Sequence, residues 1–252
     1  MSASTRTAII TGAGSGIGKA TALAFLHDGW NVVFTGRRQA MLDEALAVAG
    51  ADQVRGVAIA SDVSDPQSVA ALFEQTVKRY GRVDALFNNA GQNAPGVAFE
   101  DLPYDKWKAV IDTNLTGSFL CAQAAFGVMK SQTPQGGRII NNGSISAHAP
   151  RPDSAPYTAS KHGVSGLTRT MSLDGRKYGI ACCQVDVGNA MTELAARMAK
   201  GVKQADGAIK PEPMIDVSDV ARSVLFMANQ PPGVNIYHLM VMATNMPYAG
   251  RG

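Results

Sequence analysis

Short apolar runs alternate along this chain with stretches in which apolar residues recur every three or four positions. The runs predict strands near 6–11, 31–35, 54–59, 83–87, 137–143, 180–186 and 235–242. The periodic stretches predict helices over 17–28, 38–49, 66–79, 104–130, 156–178 and 217–229. Pro66 suits a first helical turn, where its missing N–H has no partner to lose, and Ser64-Asp65 before it reads as a cap. Alternating strands and helices predict an α/β fold, a doubly wound, mostly parallel seven-stranded sheet with helices on both faces.

One segment breaks the alternation. Residues 189–213 join a short helical pattern, MTELAARMAKGVKQA, to Gly207 and the breaker Pro211-Glu212-Pro213. Segments that close over a substrate are drawn from weakly packed stretches, so this span is expected to be a lid that governs substrate choice. No internal repeat or low-complexity linker divides the chain.

Composition narrows the picture without adding to it. With 252 residues, 46% of them hydrophobic, and 26 glycines, the chain can bury one large core, so a single domain over 1–252 is expected. The net charge of +3 is scattered, and Arg37-Arg38 and Arg176-Lys177 are too short for a polyanion footprint, which argues against nucleic acid as a partner. Cys121, Cys182 and Cys183 make no metal or disulfide spacing, so buried, reduced thiols are expected. The histidines at 27, 148, 162 and 238 show no ligand spacing, and no metal is expected. Neither a signal-peptide pattern nor an eighteen-residue apolar stretch occurs, so the reading is a soluble, cytoplasmic protein with no membrane contact.

The chemistry lies in two places. The first strand runs into Thr11-Gly12-Ala13-Gly14-Ser15-Gly16-Ile17-Gly18, and a helical pattern follows at once. Strand, glycine turn and helix present backbone N–H groups and a helix N-terminus to a phosphate. Gly12 suits the tight turn, Gly16 the close approach of a pyrophosphate, and Gly18 the packing of helix on sheet. The second place is Ser144-Ile-Ser-Ala-His148 running on to Tyr157 and Lys161. Helical residues four apart share a face, so the Lys161 ammonium falls beside the Tyr157 phenol and favours its phenolate, which suits it to general acid/base work.

With both places in view, the chain resembles the short-chain dehydrogenase/reductase family from about Arg6 onward. The matching motifs are TGAGSGIG at 11–18, NNAG at 88–91, Asn114 in TNLTG, Ser144, and YTASK at 157–161. The resemblance implies a Rossmann fold with a nicotinamide dinucleotide across the carboxyl ends of the strands and a catalytic group of Ser144, Tyr157, Lys161 and Asn114. Tyr157 would exchange the proton with the substrate oxygen and Ser144 would hold that oxygen. Lys161 would also bind the nicotinamide ribose, and Asn114 would hold a water that links the lysine to solvent. Ser15, Gly16, Ile17 and Gly18 would face the phosphates, Asp62 and Val63 the adenine, and Asn89, Ala90 and Gly91 the ribose. Gly188 and Thr192 also match the pattern, but Val187 stands where the family usually has proline, which puts the backbone path beside the nicotinamide in question.

Charge separates the two dinucleotides. The second strand ends in Gly36-Arg37-Arg38, with no carboxylate to accept from ribose hydroxyls, so NADP is expected over NAD, gripped by Arg37 first and Arg38 second. The expected activity is an NADP(H)-dependent oxidoreductase acting on a small or medium carbonyl compound or secondary alcohol, similar to carbonyl or 3-oxoacyl reductases. An NAD-preferring alcohol dehydrogenase and a non-catalytic dinucleotide sensor or scaffold are the alternatives. Gln92, Asn93, Ala94, His148, Pro150 and Met191 are candidate pocket residues, and their mixed character fixes no substrate. Small residues on the helices at 104–130 and 156–178 would permit close contact between subunits, so a homotetramer or homodimer is expected.

Overall fold

Side chains that point alternately to the two faces of a parallel sheet decide where the helices of this protein pack. The structure is a computed structural model and describes residues 5–192 and 201–248. The first strands are β1 (Thr7–Thr11), β2 (Asn31–Gly36), β3 (Gly56–Ala60), β4 (Ala85–Asn88), β5 (Gly137–Asn142) and β6 (Ile180–Val187). A hairpin of β7 (Val202–Lys203) and β8 (Ile209–Lys210) follows, and β9 (His238–Val241) completes the main sheet. Seven strands lie in the order β3-β2-β1-β4-β5-β6-β9, every neighbouring pair parallel.

Ala8, Ile10, Val32, Phe34 and Phe87 point to one face and pack against α1 (Gly16–His27), α2 (Gln39–Ala47) and α7 (Val217–Ala228). Ile9, Val33, Leu86 and Ile139 point to the other and meet α3 (Pro66–Tyr80), α5 (Gly117–Ser131) and α6 (Ala155–Asp174). Burial of both faces explains why the strands read as nearly continuous apolar runs. Cys182 and Cys183 fall on opposite faces, and with Cys121 they are free and buried, as expected. Burial pushes all three thiols up to about 12. Among the described residues no helix is long and apolar enough to cross a membrane.

The expected elements are present, with four differences. Asp65 caps α3 by accepting from the backbone N–H groups of Gln67 and Ser68, with Pro66 in the first turn, as predicted. The helix expected over 104–130 is instead α4 (Tyr104–Ile111), a π turn at Asp112–Thr116, and α5. The one expected over 156–178 ends at Asp174 and closes in a 3₁₀ turn, Arg176–Tyr178, before left-handed Gly179. The last strand shrinks to four residues, because Asn235 reaches the Cys182 carbonyl with its side-chain amide (3.0 Å) and accepts from Arg138 (3.1 Å) instead of joining the ladder. The β7–β8 hairpin falls inside the segment expected to be a lid.

Candidate active site

The strand order reverses beside β1, and there, at the carboxyl ends of the strands, lies a cleft of about 880 Å³. Its floor is the glycine turn. Gly12 and Gly16 take left-handed φ of 67° and 51°, which side-chain-bearing residues rarely adopt, and both line the cleft with Ser15 and Ile17. Gly18 lies behind the floor, where a Cβ would stand 2.2 Å from the Gly12 carbonyl oxygen, so its absence lets α1 seat against the turn. Ser15 is the N-cap of α1, yet its hydroxyl makes no capping hydrogen bond and the first turn carries no acidic residue.

Thr11 fixes the opposite wall. Its Oγ1 donates to the Phe87 carbonyl (3.2 Å) and accepts from the backbone N–H groups of Asn89 (2.8 Å) and Ala90 (2.9 Å), while the Asn89 amide donates to the Thr11 carbonyl (2.9 Å). One threonine at the end of β1 therefore sets the turn that carries Asn89, Ala90 and Gly91 into the cleft. In the sequence Thr11 stands out only as the first residue of the glycine motif, and the signal for its role is a polar residue closing an apolar strand. At the far end Arg37, Arg38, Asp62 and Val63 line the cleft, both arginines exposed. Hydrogen bonds from Ser64, with the Arg37 charge adding to them, hold the Asp62 carboxyl below the usual carboxylate range.

Ser144, Tyr157 and Lys161 converge on the near end. Ser144 follows β5 and is buried, its Oγ accepting from the Ser146 N–H at 3.1 Å. Tyr157 and Lys161 stand one turn apart on α6, with the Lys161 Nζ 5.5 Å from the Tyr157 ring centre. The ammonium is buried and donates to the Asn142 carbonyl at 2.6 Å. Asn114 is buried behind the cleft in the π turn, the kind of local widening that recurs at functional sites. Its amide accepts from the Gln92 N–H (2.8 Å) and donates to the Gln92 carbonyl (2.9 Å) and to Ser160 Oγ (3.2 Å). Ser160 Oγ in turn donates to the Tyr157 carbonyl at 2.7 Å.

Val187 carries β6 onward as a strand, in register with Val241, and the Gly188 N–H donates to the Val241 carbonyl at 2.8 Å. Gly188 and Thr192 both line the cleft, and Thr192 lies against Gly16. Residues 193–200 of the expected lid lie outside the described residues. The returning chain brings Gly201, Val202, Lys203 and Ile209 to the cleft rim. Glu212 anchors that return: it is buried, pairs with Arg151, and accepts from Asn189 (2.9 Å) and Gln204 (3.0 Å). Of the candidate pocket residues, Gln92, Asn93 and Ala94 line the cleft, whereas Pro150 lines a smaller neighbouring cavity. Met191 faces outward at 62% exposure, and His148 turns away to Asp186.

Burial of Glu212 opposes its charge, but the hydrogen bonds from Asn189 and Gln204 and the Arg151 cation outweigh it and hold the carboxyl below the usual glutamate range. A carboxyl lowered on folding stabilises the fold above its unfolded value and loses that contribution as pH falls through the folded one. Glu212→Gln is therefore expected to lower stability by about 1–3 kcal/mol near neutrality. Thermal melts should show the gap from wild type closing as pH falls below ~4, and a gap that is constant with pH would mean that the charge of Glu212 contributes nothing.

A family model described as short chain dehydrogenase matches residues 6–203. The 3beta-hydroxysteroid dehydrogenase of Mediterraneibacter gnavus is 36% identical over 198 residues, 77% of this chain and 70% of that protein. Sulfoacetaldehyde reductase 2 of Chromohalobacter salexigens is 32% identical over 242 residues, 96% of this chain and 95% of that one. Among solved structures, an actinorhodin polyketide ketoreductase with NADPH superposes with a TM-score of 0.85 at 29% identity, covering 96% of this chain and 98% of that one. The glycine turn, the Ser144, Tyr157 and Lys161 cluster and these likenesses agree: the chain belongs to the short-chain dehydrogenase family, oxidoreductases that act on hydroxyl and carbonyl groups.

Proposed function

We propose that this protein is an NADP(H)-dependent reductase or dehydrogenase that interconverts a carbonyl compound and a secondary alcohol, with Tyr157 as general acid and base. The observation that carries the reading is the meeting, in one cleft, of the glycine turn with Ser144, Tyr157 and Lys161. The residues fit a dinucleotide. The N-terminus of α1 opens on the cleft with its Ser15 cap hydroxyl uncommitted within the helix and no acidic side chain to repel phosphate. Gly12, Ser15, Gly16, Ile17 and Thr192 would hold the phosphates, Asn89, Ala90, Gly91 and Gly188 the riboses, and Asp62 and Val63 the adenine. Arg37, with Arg38 beside it, would grip a 2′-phosphate through paired donors.

When bound, the nicotinamide supplies or accepts the hydride. Tyr157 gives its hydroxyl proton to the substrate oxygen in reduction and takes it back in oxidation. Ser144 Oγ donates to the same oxygen and fixes its position. Lys161, anchored on the Asn142 carbonyl, sets positive charge beside the ring and stabilises the negative oxygen formed when the proton leaves. Asn114 acts as a positioning residue, since its amide is committed to Gln92 and to Ser160, next to Lys161. The lid role assigned to 189–213 is supported by its described part: Glu212 ties down the returning chain, whose Gly201, Val202, Lys203 and Ile209 line the cleft rim.

Exposed Phe119 and Leu173 on α5 and α6 support a homo-oligomer built through those helices. The reading is tested by fluorescence titration with NADPH and NADH, then by following NADPH absorbance against a panel of ketones and aldehydes. NADPH should bind at least ~10-fold more tightly than NADH, the worth of one charge-assisted contact, and be consumed with part of the panel. Failure of both nucleotides to bind removes the cofactor assignment, and binding without turnover across the panel removes the catalytic one.

A further inference from the structure

The histidines without ligand spacing along the chain are brought together by the fold. Asp186, fully buried near the end of β6, accepts on Oδ2 from His148 Nε2 at 2.5 Å and from His238 Nε2 at 2.6 Å. The three donor atoms lie within 4.8 Å of one another, although 38 and 52 residues separate the histidines from the aspartate. The imidazoles come from different directions. His148 ends the turn that begins at Ser144, and His238 opens the edge strand β9. None of the three residues lines the cleft.

We propose that His148, Asp186 and His238 form a site for a first-row divalent cation of the zinc class. Two imidazole nitrogens and one carboxylate oxygen are the mixed donor set that such ions take, whereas magnesium and calcium demand oxygen donors throughout. Tetrahedral zinc with bonds of ~2.0–2.2 Å holds its donors ~3.3–3.6 Å apart. Opening the two contacts to that spacing needs a small rotation of the imidazoles, whose side chains are 35% and 38% exposed. Solvent can then supply the fourth ligand. The carboxylate is already oriented for the role: its other oxygen accepts from Gln184 Nε2 at 2.7 Å, and Gln184 is held by Ser165 (2.9 Å) and Thr168 (3.1 Å) on α6. Hydrogen bonds to the second carboxylate oxygen orient and tune metal ligands in this way.

A cation here ties three segments together, including the turn between Ser144 and His148, which is closed by the Ala147 N–H to Ser144 carbonyl bond at 2.9 Å. The site would thus stabilise the loop that carries Ser144 without entering the cleft. The test is calorimetric titration of chelator-stripped protein with Zn²⁺, repeated with Co²⁺ while recording visible absorption. The wild type should take up one equivalent, show tetrahedral cobalt bands, and melt at higher temperature as zinc is added. His148→Ala and His238→Ala, at half-exposed positions that should fold, are each expected to weaken binding by at least ~100-fold, while His27→Ala, elsewhere on the molecule, should bind as wild type does. Equal zinc uptake by wild type and His238→Ala, or no saturable uptake by the wild type, overturns the proposal and leaves Asp186 as a carboxylate that merely cross-links two imidazoles.

Discussion

Tyr157→Phe should lower kcat by ~10²–10⁴ while NADPH binding stays within about threefold of wild type, the range lost when a positioned general acid is removed. In free energy that is ~3–5.5 kcal/mol on the chemical step alone. The split follows from geometry. The substitution removes one hydroxyl and keeps the ring, which is half-buried on α6 and faces the Lys161 ammonium. Lys161 keeps its hydrogen bond to the Asn142 carbonyl, so the scaffold that would hold the ribose is unchanged. The glycine turn and the wall set by Thr11 are made by separate segments at the ends of β1 and β4. Stopped-flow measurement of a single turnover, beside nucleotide titration, separates the two effects. A variant that turns over within tenfold of wild type would remove Tyr157 from the chemistry, and one that no longer bound NADPH would make it a structural support.

The parts of this molecule that were legible in its sequence are those in which one local pattern has one physical solution. An apolar run entering Gly12 to Gly18 and then a helical period can be satisfied only by a strand, a turn and a helix packed closely on it, and β1 and α1 fall where the pattern puts them. Pro66 after Asp65 fixed the start of α3 for the same reason. What stayed hidden depends on contacts between distant residues. The apolar period of 104–130 runs straight through Asn114, and only the Gln92 backbone, brought alongside from another loop, shows why the helix widens there. Asn235 leaves the last strand because Arg138 and Cys182 offer its side chain better partners than the ladder does. His148, a candidate pocket residue on the sequence alone, lies outside the cleft, because Asp186, 38 residues away, holds its imidazole. Arg151 and Glu212 likewise become a pair only once the chain after Gly201 returns alongside Arg151.

Arg37→Asp should reverse the nucleotide preference. Charge-assisted bonds from a guanidinium to phosphate contribute ~1.5–3 kcal/mol, so their loss alone weakens NADPH binding by ~10–150-fold. The new carboxylate adds repulsion toward a 2′-phosphate and supplies an acceptor for the two ribose hydroxyls of NADH, which moves the ratio further. Asp62 enters the same balance. Arg37 now helps to hold its carboxyl low, and exchanging that cation for an anion withdraws the help while the Ser64 hydrogen bonds remain. Arg38 is the competing explanation, since it is also exposed on the cleft rim and can swing toward the same phosphate. Comparing Arg37→Asp, Arg38→Ala and the double variant distinguishes them: additive losses assign both arginines to the phosphate, whereas a silent Arg38→Ala assigns it to Arg37 alone. The wild-type preference should also fade with added salt, as interactions between exposed charges do, more steeply than in Arg37→Asp. A ratio of NADPH to NADH affinity that is unchanged in the double variant would mean that neither guanidinium meets the nucleotide, and the assignment of NADP would fall with it.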